Sequence, residues 1–428
     1  MKVAMISDHA SPLACLGGAD GGGQNVYVAQ LAKELAGRGW HIDIFTRRDD
    51  PSLPETWEWQ PGVRVIHLTA GPVQRIRKEE LLPHMRAFTD GFLKQARRRR
   101  YDVCHANFFM SGLAAAEAKH ALALPFVITF HALGKVRRLH QREADAFPES
   151  RLAIEERLVR EADLIISECP QDEDDLIAHY GASRAKLRTV PCGFNPATFN
   201  PMDRSAARDQ IGIAGDEPIV LQLGRMVPRK GVDNVIRAMA RLRRHGIPAR
   251  LLVVGGETRH PDPRATPEIG RLLDIAAEEK ISDAVTFIGS RGRRELRVYY
   301  AAADVFATTP WYEPFGITPV EAMACGTPVV GSAVGGIQQT VEDGRTGFLV
   351  PPRDPDALAA RLATLLSNPS LRDEMGKNAL ARARRLYTWA RIAGQIDGVY
   401  REVRREATPT LRLPGRLPRL SSLSGTGS

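Results

Sequence analysis

Two carboxylates, Glu313 and Glu321, stand eight positions apart in the stretch WYEPFGITPVEAMACGTPVVGSAVGGIQQTVEDGRTG, Trp311 to Gly347. Two cations, Arg225 and Lys230, share the segment GRMVPRKG. Arginine grips a diphosphate with two prongs and lysine meets it as a point charge. Between the acids, Thr318 reads as a helix N-cap, Pro319 as the first helical residue and Glu321 as the capping-box acid. A helix opening this way aims unpaired N–H groups and its positive dipole end at the loop before it, which suits a phosphate. A capping role alone would account for Glu321. Glu313, after Tyr312 and before Pro314, has no comparable structural reason. The pattern predicts a phosphate-bearing ligand held beside two acids.

These residues need elements to hold them, and the chain supplies alternating strands and helices. Lys2 to Ser7 reads as a buried strand, followed by the glycine-rich loop DHASPLACLGGADGGGQ, a helix from about Asn25, and the strand HIDIFT. This is the opening of a doubly wound α/β fold. Its glycines do not fit G-x-G-x-x-G, since Val26 falls where the third should be, so a dinucleotide fingerprint is weak. Strand-like runs RVIHL, DVCHA, FVITFH and DLIIS continue the series, and a turn-rich stretch, PCGFNPATFNP, marks a hinge. A second series follows: PIVLQLG, ARLLVVGG, AVTFIG, DVFATT and PVVGS. Short apolar runs separated by helices argue for parallel sheets covered on both faces. The expected fold class is therefore α/β, with two doubly wound, Rossmann-like domains facing a cleft. The expected boundaries are 1–195, 196–380, a C-terminal helix at 381–406 crossing back to the first domain, and a disordered tail at 407–428 rich in proline, serine and glycine.

The chain has 428 residues, too many for one ordinary core, and its 43% hydrophobic and 25% charged residues are usual for a soluble globular protein. No stretch approaches a membrane span and the N-terminus runs directly into a strand, so a cytoplasmic enzyme is expected. Five scattered cysteines form no C-x-x-C pair and read as buried thiols rather than as a disulfide framework or zinc site. The net charge of +9 is concentrated in runs such as Arg97 to Arg100 and Arg137 to Arg142. Without aromatic interleaving these read as solvated helix ends, so nucleic acid is not an expected partner; peripheral contact with the inner membrane face stays open.

The glutamate loop and its continuation EAMACGTPVVGSAVGG and GRTGFLVPP resemble the retaining glycosyltransferases of family 4, which have the GT-B fold. GRMVPRKG is similar to their phosphate-binding loop, and GGADGGGQNVYV to the glycine-rich loop of their first domain. Closer likeness, through GGGQNVYVAQLA, TRRDDP and AGPVQRIRKEEL, runs to the sucrose synthase, sucrose-phosphate synthase and mycothiol-type branch. The resemblance implies that Arg225 and Lys230 hold the donor diphosphate, that Glu321 binds the ribose, and that Glu313 contacts the transferred sugar, helped by the backbone of Phe315, Gly316, Ile317 and Thr318. Gly22 and Gly23 would approach the donor phosphate, and His131 would face the donor sugar. Asn25, Lys78 and Arg151 match acceptor-binding positions, whereas Phe108 and Ala132 replace a tyrosine and a threonine, which removes two hydroxyls from that set.

What the resemblance implies is transfer of a hexosyl group, glucosyl by likeness to the branch, from a nucleotide sugar such as UDP-glucose. The acceptor would be a sugar, sugar-phosphate or lipid-linked hydroxyl. The nucleotide sugar is a co-substrate, and no cofactor or metal is expected. The acidic DED at Asp172 to Asp174 mimics a metal motif, yet it follows Pro170 at a helix start, where acids favour the dipole. The acids invite a double-displacement scheme, but the family resemblance implies front-face substitution, with configuration kept. Two alternatives stay open: a nucleotide-sugar-binding protein without transferase activity, and a nucleotide-sugar epimerase.

Overall fold

The computed structural model describes residues 1–13 and 22–407. The expected tail, most of the glycine loop and Cys15 lie outside the described residues.

The first sheet is built from β1 (Lys2–Ile6), β2 (His41–Arg47), β3 (Thr56–Gln60), β4 (Val63–Leu68), β5 (Val103–Asn107), β6 (Phe126–Thr129), β7 (Leu164–Ser167) and β8 (Leu187–Thr189). Its order is β3-β4-β2-β1-β5-β6-β7-β8. All pairings are parallel except β3 with β4. The strand β3, TWEWQ, went unread in the sequence because it is an edge strand that leaves Trp57 exposed and lacks a buried run. The second sheet comprises β9 (Ile219–Leu223), β10 (Arg250–Val254), β11 (Val285–Gly289), β12 (Val305–Thr308), β13 (Val329–Ser332) and β14 (Gly347–Val350). Its order is β11-β10-β9-β12-β13-β14, all parallel. The central strands β1, β5 and β9 are almost wholly buried, as sheets covered by helices on both faces require, although β5 also buries His105 and Asn107 and β9 buries Gln222. Order reverses beside β1 in one sheet and beside β9 in the other, and crevices at such reversals open at the carboxyl ends of the strands.

Two crossings join the sheets. The outgoing chain at Phe194 donates its N–H to Tyr387 O (2.8 Å), and the returning chain at Trp389 donates to Phe194 O (3.1 Å). A side chain at Gly193 would press on this pair. The final helix, Trp389–Ala407, lies against the helix Gly23–Ala36 of the first sheet. Trp40 Nε1 donates to Asp397 (2.8 Å), and the Tyr400 hydroxyl meets His105 Nδ1 at 2.7 Å. Among the described residues no helix is long and apolar enough to cross a membrane.

Candidate active site

The two sets of strand ends face one cleft. On the second sheet, the segment after β9 carries Arg225, Arg229 and Lys230, and the segment after β12 carries Tyr312, Glu313 and the loop up to Gly316, with Ile317 and Thr318 at the start of the next helix. The loops are stitched together: Trp311 N donates to Arg229 O (2.9 Å) and Thr309 Oγ1 to Gly231 O (2.7 Å). Lys230 Nζ is ion-paired with Glu313 Oε2. Burial pushes the Lys230 ammonium down to about 8, with Glu313 opposing and Arg229 and Arg225 adding to the fall. Burial works the other way on Glu313, yet Lys230, Arg229 and Arg225 together hold its carboxyl below the usual range. Arg229 and Arg225 contribute to both shifts, and the excess of positive over negative charge they create in this pocket favours an anion.

The Glu313 loop is held from behind by Gly335 and Gly336. Gly336 N donates to Glu313 O (3.2 Å), Gly335 sits at φ 47°, and a side chain on either glycine would run into the carbonyl of Glu313 or Phe315. This is the physical reason for the second glycine pair of the motif.

The expected helix start needs correction. The helix spans Ile317–Ala324 and its N-cap is Gly316, at φ 91°, not Thr318. Glu321 consequently makes no capping box. It is 1% exposed; one oxygen is ion-paired with Arg293 and the other accepts from the Tyr300 hydroxyl (3.2 Å). Burial raises its carboxyl pKa against the pull of Arg293 and Tyr300.

From the first sheet, His131 follows β6 at φ 57°. Its Nδ1 meets Glu168 (3.1 Å), its Nε2 meets Asn107 Oδ1 (3.1 Å), and Tyr27 packs edge-on to its ring at 4.8 Å. Gly22 and Gly23 lie across the cleft from the side chains of Arg225 and Ile317. A Cβ on either would make only ordinary contacts, so among the described residues no neighbour demands glycine there. Asn25 lines the cleft but caps its own helix: Oδ1 accepts from Gly22 N (2.9 Å) and Nδ2 donates to Ser11 O (2.9 Å). Lys78 also lines the cleft.

Arg151, expected among the acceptor-binding residues, is not among those that line the cleft. It is 1% exposed, paired with Glu155 (2.7 Å), and its guanidinium sits 4.5–4.9 Å from the rings of Phe108, Phe109 and Phe147. Phe108 and Phe147 form the cleft wall in front of it. Asp172 of the DED sequence also turns inward. It accepts from Glu168 N (2.9 Å), and burial together with Glu168 pushes its carboxyl up to about 8.

Several cleft residues were not singled out in the sequence: Arg229, Arg293, Tyr312, and His9, whose Nδ1 meets the buried Asp8 at 3.0 Å. The signal for the two arginines was position, since each follows the carboxyl end of a strand of the second sheet.

Two Rossmann-like sheets facing a cleft, with a cation-rich loop, the partly buried Glu313 and the buried Glu321 on one wall, define the chain as a GT-B glycosyltransferase. Residues 203–382 match the family described as glycosyl transferases group 1, and residues 22–193 match the glycosyl transferase 4-like domain. The chain belongs to this family of group 1, family 4-type glycosyltransferases. It is 38% identical over 412 residues to the D-inositol 3-phosphate glycosyltransferase of Actinosynnema mirum, covering 94% of this chain and 97% of that one. The enzyme of the same description from Acidothermus cellulolyticus is 38% identical over 97% of this chain and 94% of its own. Among solved structures, sucrose-phosphate synthase from Thermosynechococcus elongatus superposes with a TM-score of 0.88 at 38% identity, over 95% of this chain and 99% of that one. Anabaena HepE, in complex with UDP and glucose, shares the fold at 24% identity, with a TM-score of 0.73 over 93% of this chain and 99% of that one.

Proposed function

We propose that this glycosyltransferase moves a glucosyl group from UDP-glucose to a hydroxyl of a sugar, sugar-phosphate or lipid-linked acceptor, with retention of configuration. The observation that carries this reading is the convergence of Arg225, Arg229 and Lys230 on Glu313 at the strand ends of the second sheet, opposite His131 and Gly22 of the first. An excess of fixed positive charge beside a hydroxyl-binding acid fits a sugar joined to a diphosphate.

In the step, the bond from the anomeric carbon to the β-phosphate oxygen breaks while the acceptor oxygen attacks the same face. The acceptor proton passes to the departing phosphate oxygen, and Arg225 and Lys230 stabilise the charge developing there. Glu313 fixes the sugar hydroxyls and Glu321 the ribose, so no carboxylate need act as nucleophile. Positioning and electrostatics supply the acceleration. The uridine base and the glucosyl group rest on the likeness of GGGQNVYVAQLA to the sucrose synthase branch. The burial of Arg151 behind Phe108 and Phe147 tells against a phosphate held there, and so against inositol phosphate as the acceptor.

The test is a thermal-shift screen of nucleotide sugars, followed by mass spectrometry of candidate acceptors with the best donor. A donor that binds only the folded state raises the melting point by mass action. UDP-glucose should give the largest shift and should turn over slowly even without acceptor. Stabilisation by no nucleotide sugar would overturn the reading.

A further inference from the structure

The two walls of the cleft meet at Tyr312, the residue before Glu313. On one side, the His140 ring stacks on the Tyr312 ring, with centroids 5.1 Å apart and planes at 22°, and Gln141 Nε2 donates to the phenol oxygen. On the other, the Arg229 guanidinium lies 5.2 Å from the ring centroid. Tyr312 is thus gripped by the first sheet's domain on one side and by the phosphate loop on the other.

His140 and Gln141 end the helix Gly134–Gln141, which follows β6 and His131. That helix is fixed to its own domain. Gly134 N donates to Glu155 (2.9 Å), Lys135 N to the Tyr180 hydroxyl (2.8 Å), and Arg137 is paired with Asp145 (2.8 Å). One continuous segment therefore carries both His131 and the grip on Tyr312 to the cleft. Burial, reinforced by Arg353, lowers the pKa of His140, which keeps the ring neutral and suited to stacking.

We propose that His140 and Gln141 are positioning residues for Glu313. They hold Tyr312 from the first domain and so set the sugar-binding acid only when the domains are docked and His131 is in place. The Glu313 loop is tied down behind, by Gly336 N on Glu313 O, and the clasp on Tyr312 ties it in front. The uridine diphosphate portion of a donor would lie among Arg225, Lys230 and Glu321, on the second domain. Release of the clasp accordingly separates holding the nucleotide from cleaving the sugar bond. This inference rests on the nucleotide-sugar reading above.

The experiment uses the full chain and the double substitution His140→Ala, Gln141→Ala. Without ligand, amide hydrogen exchange in the peptide spanning Trp311 to Ile317 should quicken while the β9 and β10 peptides keep their protection. Calorimetry should give an unchanged Kd for UDP, while turnover of UDP-glucose falls about tenfold to hundredfold, the cost of a misplaced catalytic geometry. His140→Phe, which keeps a ring over Tyr312, should restore most of kcat when Gln141 is intact. Unchanged exchange with wild-type turnover in the double variant would overturn the proposal, as would a parallel loss of UDP affinity. Absence of donor binding by the unaltered enzyme would instead overturn the transferase reading, and the exchange comparison would still decide the clasp.

Discussion

Lys230 Nζ and Glu313 Oε2 are joined across the gap between the loops after β9 and β12, so the cation expected at the donor phosphate and the acid expected at the donor sugar share one ion pair. Lys230→Ala removes the proposed phosphate ligand and strips a partly buried carboxylate of its direct partner. Turnover of UDP-glucose should fall by about two to three orders of magnitude, the usual cost of losing a preorganised charge at a developing anion. Glu313→Gln keeps the shape and should lose sugar discrimination before UDP binding. Steady-state kinetics alongside UDP calorimetry separates the two effects.

Lys230 should also make donor affinity depend on pH. Its pKa lies near 8, below that of an ordinary lysine, because burial and the two arginines disfavour the charged form. A diphosphate favours that form, so the pKa rises when the donor binds and the complex takes up a proton. Affinity for UDP should therefore be level below about pH 8 and decline above it, by up to tenfold per pH unit, until the pKa of the complex is reached. Calorimetry from pH 6.5 to 9.5 in buffers of different ionisation enthalpy tests this, and Lys230→Arg should remove the inflection.

Glu321 is buried and depends on Arg293 for its charge. Arg293→Leu leaves that carboxylate without a cation. The protein should lose about 2–4 kcal/mol of stability, somewhat less than a fully buried pair because the arginine is partly exposed. Deletion of Arg293 should also push the Glu321 pKa further up, since the main force lowering it is gone. Denaturant unfolding as a function of pH checks both: the deficit should shrink in acid, where the carboxyl is neutral.

Gly335→Ala tests the support behind Glu313. The new methyl would collide with the Glu313 carbonyl at a backbone with φ 47°. A loss of about 1–3 kcal/mol is expected, together with reduced turnover. Gly326→Ala has a positive φ and nothing within 4 Å, so it should pay the backbone strain but spare turnover.

The strand–loop–helix rhythm of both halves was legible because most inner strands, such as VAMI of β1 and IVLQL of β9, are short and mainly apolar, and the glutamate loop was legible because Glu313, Gly316, Gly335 and Gly336 lie close in sequence. What stayed hidden depends on partners far along the chain. Thr318-Pro319 imitates a helix start, and only the φ of Gly316 shows that the helix opens earlier. The Arg293 contact to Glu321 spans 28 residues and follows no periodicity. Arg151 shows its charge in the sequence, but not the three phenylalanine rings that enclose it.

The return of the last helix to the first sheet also orders events during synthesis. Trp389, Ile392, Ile396 and Tyr400 complete the same buried cluster as Val3, Tyr27 and Leu31. The ribosome must therefore finish almost the whole chain before the domain made first can complete that cluster, although the cluster on the other face of its sheet, from Ala4 to Leu187, needs no later residue. The second sheet, whose strands span 219–350, emerges as one uninterrupted stretch and can form while that earlier domain is still waiting.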